Sequence, residues 1–288
     1  MNLSDWLRRK FPTAKQQTLK RMVQNRRVRI GGALATRLDQ PVPNPDDVII
    51  ESAGKPPPSL AKLPFTIIFE DRDTLVIDKP PGLLTSTVPR EPRPTAIAAV
   101  AEYLAASDPR SKPGLIHRLD RDASGLLIFS KNTRAFQSLK KQFFHHTVER
   151  VYHAIVSPAP KTDSGRIESN FAERADGSVH SVSKRVRGQV AVTMFDVANR
   201  RGQFALLRIK LHTGRKHQIR VHLSESGWPV VGDVFYAGKS CKKGLMLAAI
   251  KLAVDHPRTG ERMIFTIPQK GDRVLAAFTG IGADSESV

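Results

Sequence analysis

Apolar residues recur along this chain with two periods, and each change of period marks a change of element. Near the start, Leu3, Trp6, Leu7 and Phe11 fall at helical spacing, with Arg8, Arg9 and Lys10 on the polar side. After Pro12 and Thr13 the chain restarts. Leu19, Met22 and Val23 form a second helical stripe, flanked by Lys15, Lys20, Arg21, Arg26 and Arg27. The period then shortens. Residues 28–30 read as a strand running into Gly31-Gly32, and Asn44-Pro45-Asp46 turns the chain into another strand at 48–50. Residues 52–64, SAGKPPPSLAKLP, are rich in proline and small residues, which favour an extended spacer. The pattern therefore predicts a small unit at 1–51, a linker at 52–64 and a larger unit at 65–276. The residues from 277 to 288 read as a flexible, frayed end.

In the larger unit, strands are expected at 66–69, 74–78, 151–156, 190–197, 204–211, 245–254 and 263–267. Phe204, Leu206, Arg208 and Lys210 alternate with Ala205, Leu207, Ile209 and Leu211. An alanine-rich helix is expected at 95–107 with Thr95 as its N-cap. Asn132 or Thr133 caps another, whose Phe136, Leu139 and Phe143 share a face, and a third at 217–225 carries Arg220. Many strands with few helices, and no regular βαβ alternation or glycine-rich phosphate loop, predict a mixed α+β domain.

Charge changes the picture more than composition does. The 46 Lys and Arg residues outnumber the 27 Asp and Glu, giving +19. An excess of that size is a statement about partners: nucleic acid or an anionic membrane. No apolar run approaches the ~18 residues of a membrane span, and the opening MNLSDWLRRKF lacks the apolar core of a signal peptide. A single cysteine, Cys241, builds neither an internal disulfide framework nor a cysteine-rich metal site. A cytoplasmic, non-membrane protein facing RNA or DNA is expected.

The candidate chemistry centres on GLIHRLDRDASGLLIFSKN at 114–132, where His117, Arg118, Asp120, Arg121 and Asp122 sit between two β-prone apolar ends. Metal spacing is poor: His145 and His146 are adjacent, and His217 and His222 are five apart. Ser124 lies in D-x-S-G with no evident base. A paired-carboxylate glycosidase using Asp120 and Asp122 stays open. A single reactive carboxylate is the other route, but burial alone raises a carboxyl's pKa and favours its neutral form. An arginine from elsewhere in the fold offsets that with a two-pronged contact. TGRKHQIRVHL at 213–223 offers Arg215 and Arg220. A purely structural Asp120, capping a turn or pairing at the surface, is the competing reading.

HRLDRDASGLLIFSKN, ERVYHAIV and HTGRKHQIRVHL resemble, in order and spacing, the three signature segments of the RluA-type pseudouridine synthases. IIFEDRDTLVIDKPPGLLT, GDVFYAG and LMLAAIKLAVDHPRTGE fit as flanking pieces, so the likeness spans 65–268. The resemblance implies a mainly antiparallel catalytic sheet and the isomerisation of uridine to pseudouridine in RNA without a cofactor. It implies that Asp120 is the catalytic aspartate, that Tyr152 packs on the target base and that Arg220 pairs with Asp120. Arg118 is implied to enter the space the base leaves. Without the resemblance, Tyr152 reads as a strand tyrosine filling the core. Three positions depart from the family pattern: Ala123, Arg150 and Ala248, where threonine, lysine and histidine are usual.

The first fifty residues resemble the small RNA-binding domain shared with ribosomal small-subunit protein four, through VRIGG at 28–32 and PDDVI at 45–49. That likeness makes Arg21, Arg26 and Arg27 expected RNA contacts. Ribosomal RNA is the expected partner, with transfer RNA as the alternative and a monomer as the expected state. Two rivals remain: a non-catalytic RNA-binding or ribosome-assembly factor with the same fold, and an RNA glycosidase that releases free uracil.

Overall fold

The computed structural model describes residues 1–14, 16–24, 28–50, 63–87, 93–108, 111–183 and 185–282. They fall into two units, Met1–Ser59 with Ala105–Pro109, and Leu60–Leu104 with Arg110–Val288.

The first unit opens with α1 (Leu3–Lys10), whose N-cap Asn2 accepts a hydrogen bond from the Asp5 amide at 2.8 Å. Arg8, Arg9 and Lys10 are exposed in its last turn, where cations suit the helix dipole. After α2 (Gln16–Gln24) come β1 (Val28–Ile30), β2 (Ala33–Leu34) and β3 (Val48–Ile50). β1 is central and antiparallel to both neighbours. The turn from β1 to β2 needs two positive φ angles, 58° at Gly31 and 81° at Gly32, which residues with a Cβ resist. Leu3, Leu7, Leu19 and Val28 are fully buried in this unit's core. Arg21 falls on α2. Arg26, Arg27 and positions 51–62, which include 52–62 of the expected 52–64 linker, lie outside the described residues.

The second unit runs β4 (Thr66–Glu70), β5 (Thr74–Lys79), α3 (Ala96–Ser107, of which Ala105–Ser107 count with the first unit), β6 (Gly114–Leu115) and β7 (Ser124–Ser130). It continues through α4 (Thr133–Phe144), β8 (Glu149–Val156), β9 (Ser164–Glu173), β10 (Val179–Val182), β11 (Gln189–Arg201) and β12 (Phe204–Leu211). α5 (Gln218–Glu225), β13 (Leu247–Asp255), β14 (Arg262–Thr266) and α6 (Arg273–Thr279) complete it. The strands make one sheet in the order β10-β9-β11-β12-β8-β13-β7-β5-β4, with β6 on β7 and β14 on β13. Every pairing is antiparallel except β13 with β7, so the sheet is the mixed, mainly antiparallel one expected.

The caps form where the sequence places them. Thr95 Oγ1 accepts from the Ala98 amide at 3.2 Å, and Asn132 Oδ1 from Ala135 at 2.9 Å. Gly125 pairs with Ala249, and Ala249 with Tyr152, so one register row crosses β7, β13 and β8. Gly125 has φ +112°, and a Cβ there would lie 2.2 Å from the Ala249 carbonyl oxygen. Only glycine lets β7 approach β13 this closely, and that approach sets the distance from the 117–123 loop to Tyr152.

Two expectations need correction. Of the flexible end expected at 277–288, residues 277–282 are ordered against the core, and 283–288 lie outside the described residues. Ala277, Phe278 and Ile281 are buried, and Arg201 donates to the carbonyls of Thr279 at 2.7 Å and Ile281 at 2.8 Å. Asp272 caps α6 by accepting from Val274 and Leu275, so the apolar positions 274, 277 and 278 face the core from one side of a helix. β9 and β10 are strands the alternation did not suggest. β9 keeps only Phe171 buried and carries the Arg166–Glu168 ion pair, so its half-solvated surface lacks a strong apolar period.

Candidate active site

The loop from His117 to Ala123 joins β6 to β7 and is held from below by backbone-directed contacts. Thr85 Oγ1 donates to the Leu119 carbonyl at 2.7 Å and accepts from the Leu119 amide at 3.1 Å. Lys79 is fully buried at the end of β5. Its Nζ donates to the carbonyls of Pro80, Leu83 and Arg121 at 2.9, 2.8 and 2.9 Å. Burial pushes the ammonium down to about 8, against the pull of Asp120 and Asp122. The Arg121 carbonyl also accepts from Gly82 at 2.9 Å. Four hydrogen bonds between Lys79, Gly82 and Thr85 on one side and the residues flanking Asp120 on the other leave that loop little freedom.

Above the loop lies a cavity of about 780 Å³. Asp120, Arg118, Tyr152 and Arg220 all line it. The Asp120 carboxylate is 3.2 Å from the Arg220 Nη1, across a hundred residues of chain. Arg220 stands on α5, whose residues Gln218 to Leu223 are all buried, and this fixes the direction of its side chain. Its other donors go to Asp233: Nε to Oδ2 at 2.7 Å and Nη2 to Oδ1 at 2.9 Å. Asp233 is 2% exposed, and its carboxylate therefore has Arg220 as a two-pronged counter-charge. Burial opposes the charge on Arg220, but the Asp233 hydrogen bonds and the charges of Asp120 and Asp233 outweigh it and raise its pKa. The Tyr236 ring lies 5.0 Å from the guanidinium carbon and covers one face of it. Arg220 is thus a fixed cation shared by one structural and one cavity-facing carboxylate.

Tyr152 is 6% exposed on β8 and borders both the core and the cavity. Burial pushes its phenol pKa up, with Arg150 opposing and Asp120 adding to the rise. Arg118 is exposed at the rim. His117 is neutral: burial, with Arg150 and Lys140 nearby, takes its imidazole down to about 3, and its Nε2 accepts from the Ile128 amide at 3.3 Å. Phe143 stacks on His117 at 4.8 Å between ring centroids and receives the Arg150 guanidinium at 5.5 Å. Lys141, Arg215 and Lys216 add exposed or partly exposed cations around the cavity, a setting suited to a phosphodiester chain.

The other sequence candidates separate cleanly. Asp122 is held by Arg121 through Oδ1 at 2.8 Å and Oδ2 at 2.9 Å, which lowers its pKa, and it does not line the cavity. A two-carboxylate glycosidase site at Asp120 and Asp122 therefore has no geometric support. Of the three departures, Ala123 and Arg150 line the cavity. Ala248 lines a separate space of about 190 Å³ with Ser124 and Asp272, on the far face of the sheet from its neighbours Leu247 and Ala249. The sequence reading missed Asp233, Lys79 and Thr85 as supports of the site. All lie in segments already marked by resemblance, but a buried lysine or aspartate carries no local signal.

The chain matches the family model described as RNA pseudouridylate synthase over residues 73–225. It is 31% identical over 290 residues to an uncharacterized RNA pseudouridine synthase of Aquifex aeolicus, covering 93% of this chain and 90% of the relative. It is 32% identical to the ribosomal large subunit pseudouridine synthase D of Borreliella burgdorferi, covering 78% and 73%. Among solved structures, human RNA pseudouridylate synthase domain containing 1 is similar in fold, with a TM-score of 0.58, 22% identity, and coverage of 74% of this chain and 85% of that one.

Proposed function

This chain belongs to the RNA pseudouridine synthase family, and from that premise we propose that it isomerises uridine in structured RNA through Asp120. The observation that carries the reading is the 3.2 Å approach of Asp120 to Arg220 inside a cavity that Tyr152 also lines. The reaction breaks the bond from the sugar to N1 of uracil, turns the ring and joins C5 to the same carbon. No atom is gained or lost overall, because the C5 proton leaves as N1 is reprotonated. The base must first leave its stack, which costs a few kcal/mol in a structured RNA. Arg118 at the rim is suited to fill the gap, and the Tyr152 ring to stack on the extruded base. Asp120, with the Arg220 counter-charge beside it, attacks the sugar carbon or removes a sugar proton.

Ribosomal RNA is the substrate class this reading favours. One similar protein carries that assignment in its name, and the net charge of +19 suits a large phosphate-dense partner. The N-terminal unit is read as an RNA-binding domain, with Arg21, Arg26 and Arg27 as its contacts. Among the described residues, no helix is long and apolar enough to cross a membrane.

The test uses RNA labelled with tritium at C5 of uridine, taken from cells lacking this protein. Incubation with the purified chain is expected to release tritium to water. RNA binding without any release would instead identify a non-catalytic RNA-binding or assembly factor.

A further inference from the structure

His217 has no place in the chemistry described so far, yet it lines the same cavity as Asp120, Tyr152 and Arg220. Its backbone is left-handed, φ 53° and ψ 18°, at the N-cap of α5. That conformation is uncommon for a residue with a Cβ, and such residues concentrate at functional sites. The side chain does not cap the helix. Instead Nδ1 meets the Tyr236 hydroxyl at 2.9 Å.

The hydrogen bonds at the Tyr236 hydroxyl suit one tautomer. The Tyr236 oxygen accepts from the Val179 amide at 3.0 Å. Among the described residues its proton has no acceptor but His217 Nδ1. An imidazole that accepts at Nδ1 carries its own proton on Nε2. Burial lowers the imidazole's pKa, with Asp120 opposing, so the ring is a neutral donor rather than a cation. His217 lines the cavity and Tyr236 does not, so with Nδ1 engaged by Tyr236 the ring nitrogen left for a ligand is Nε2.

Resting on the pseudouridine synthase reading, we propose that His217 donates a hydrogen bond from Nε2 to a carbonyl oxygen of the extruded uracil. Tyr236 and the Val179 amide are the positioning groups that set the tautomer. A neutral donor fits this role for two reasons. It recognises the pyrimidine carbonyl without adding a second cation beside Arg220, and it withholds a hydrogen bond from a ring amino group.

Two substitutions separate this role from a structural one. The amide of glutamine reaches the place of Nε2, whereas the amide of asparagine reaches only that of Nδ1. Asparagine, however, tolerates the left-handed backbone and favours the N-cap. His217→Gln is expected to exceed His217→Asn by at least about tenfold in kcat for tritium release, the scale of one lost hydrogen bond in a dry site. RNA affinity, carried mainly by phosphate contacts, is expected to stay within about threefold for both. Both variants are checked for folding by thermal melting. Asparagine matching or exceeding glutamine would overturn the proposal and leave His217 a backbone and capping residue. A wild-type protein that releases no tritium would overturn the underlying reading instead, and the comparison of wild type with either variant tells the two failures apart.

Discussion

Asp120→Asn is expected to reduce tritium release from C5-labelled uridine by at least about a thousandfold, the scale on which enzymes lose a nucleophile or a general base. RNA affinity is expected to change by less than about threefold, since phosphate contacts dominate binding. The substitution is close to isosteric, and its amide oxygen still accepts from Arg220. Arg220 also keeps both hydrogen bonds to Asp233, so the variant is expected to fold. Binding measured by filter retention and release measured in the same preparation separate the two effects. Release at the wild-type rate would remove Asp120 from the chemistry and return it to the structural role that an aspartate near a strand end commonly has.

The second large effect falls on Arg220. Arg220→Met strips the counter-charge from Asp233, whose side chain is 1% exposed, as well as from Asp120. Removing one partner of a buried pair leaves an uncompensated charge, and about 3–5 kcal/mol of stability is expected to go with it. Activity is expected to vanish too, but instability alone would explain that. The double variant Arg220→Met/Asp233→Asn resolves the ambiguity. It removes the stranded carboxylate and is expected to regain most of the lost stability in urea unfolding, while tritium release stays absent. Recovery of activity along with stability would show that Arg220 acts only as a scaffold for Asp233. A single variant as stable as wild type would contradict the burial argument itself.

These two residues also mark the boundary of what the sequence made legible. Asp120 was a candidate from its own neighbourhood, because charges between two β-prone segments are conspicuous. Its pairing with Arg220 lies a hundred residues away, and no periodic pattern carries contacts of that span. The charge argument narrowed the partner to Arg215 or Arg220, and the motif resemblance chose Arg220. Strands such as β12 were readable because Arg208 and Lys210 point to solvent while Ile209 is fully buried. β9 was not, because few of its side chains are buried on either face. α6 is a capped helical stripe of Asp272, Val274, Ala277 and Phe278, but it is one short helix beside a polar end and carries too few apolar positions to set a period. Lys79 shows the limit most plainly. A lysine at a strand end reads as solvent-facing, yet three carbonyls of two converging turns hold it without exposure. Such a site exists only once the fold has brought residues 80, 83 and 121 together.

The departures from the family pattern gain physical content from the same geometry. Arg150 packs over Phe143 and donates to the Thr213 carbonyl at 3.2 Å, so it braces the wall between the 117–123 loop and the segment before α5. Ala123 sits in the cavity wall itself and is the departure with a direct route to substrate fit. Ala248 faces away from the cavity and bears on packing behind the sheet.

The most direct measurement is the nucleoside composition of RNA from cells lacking this protein, before and after incubation with it. Pseudouridine gained mole for mole with uridine lost, at unchanged RNA mass and with no free base, is the expected result. Free uracil in the supernatant, or a composition that does not move, would contradict it.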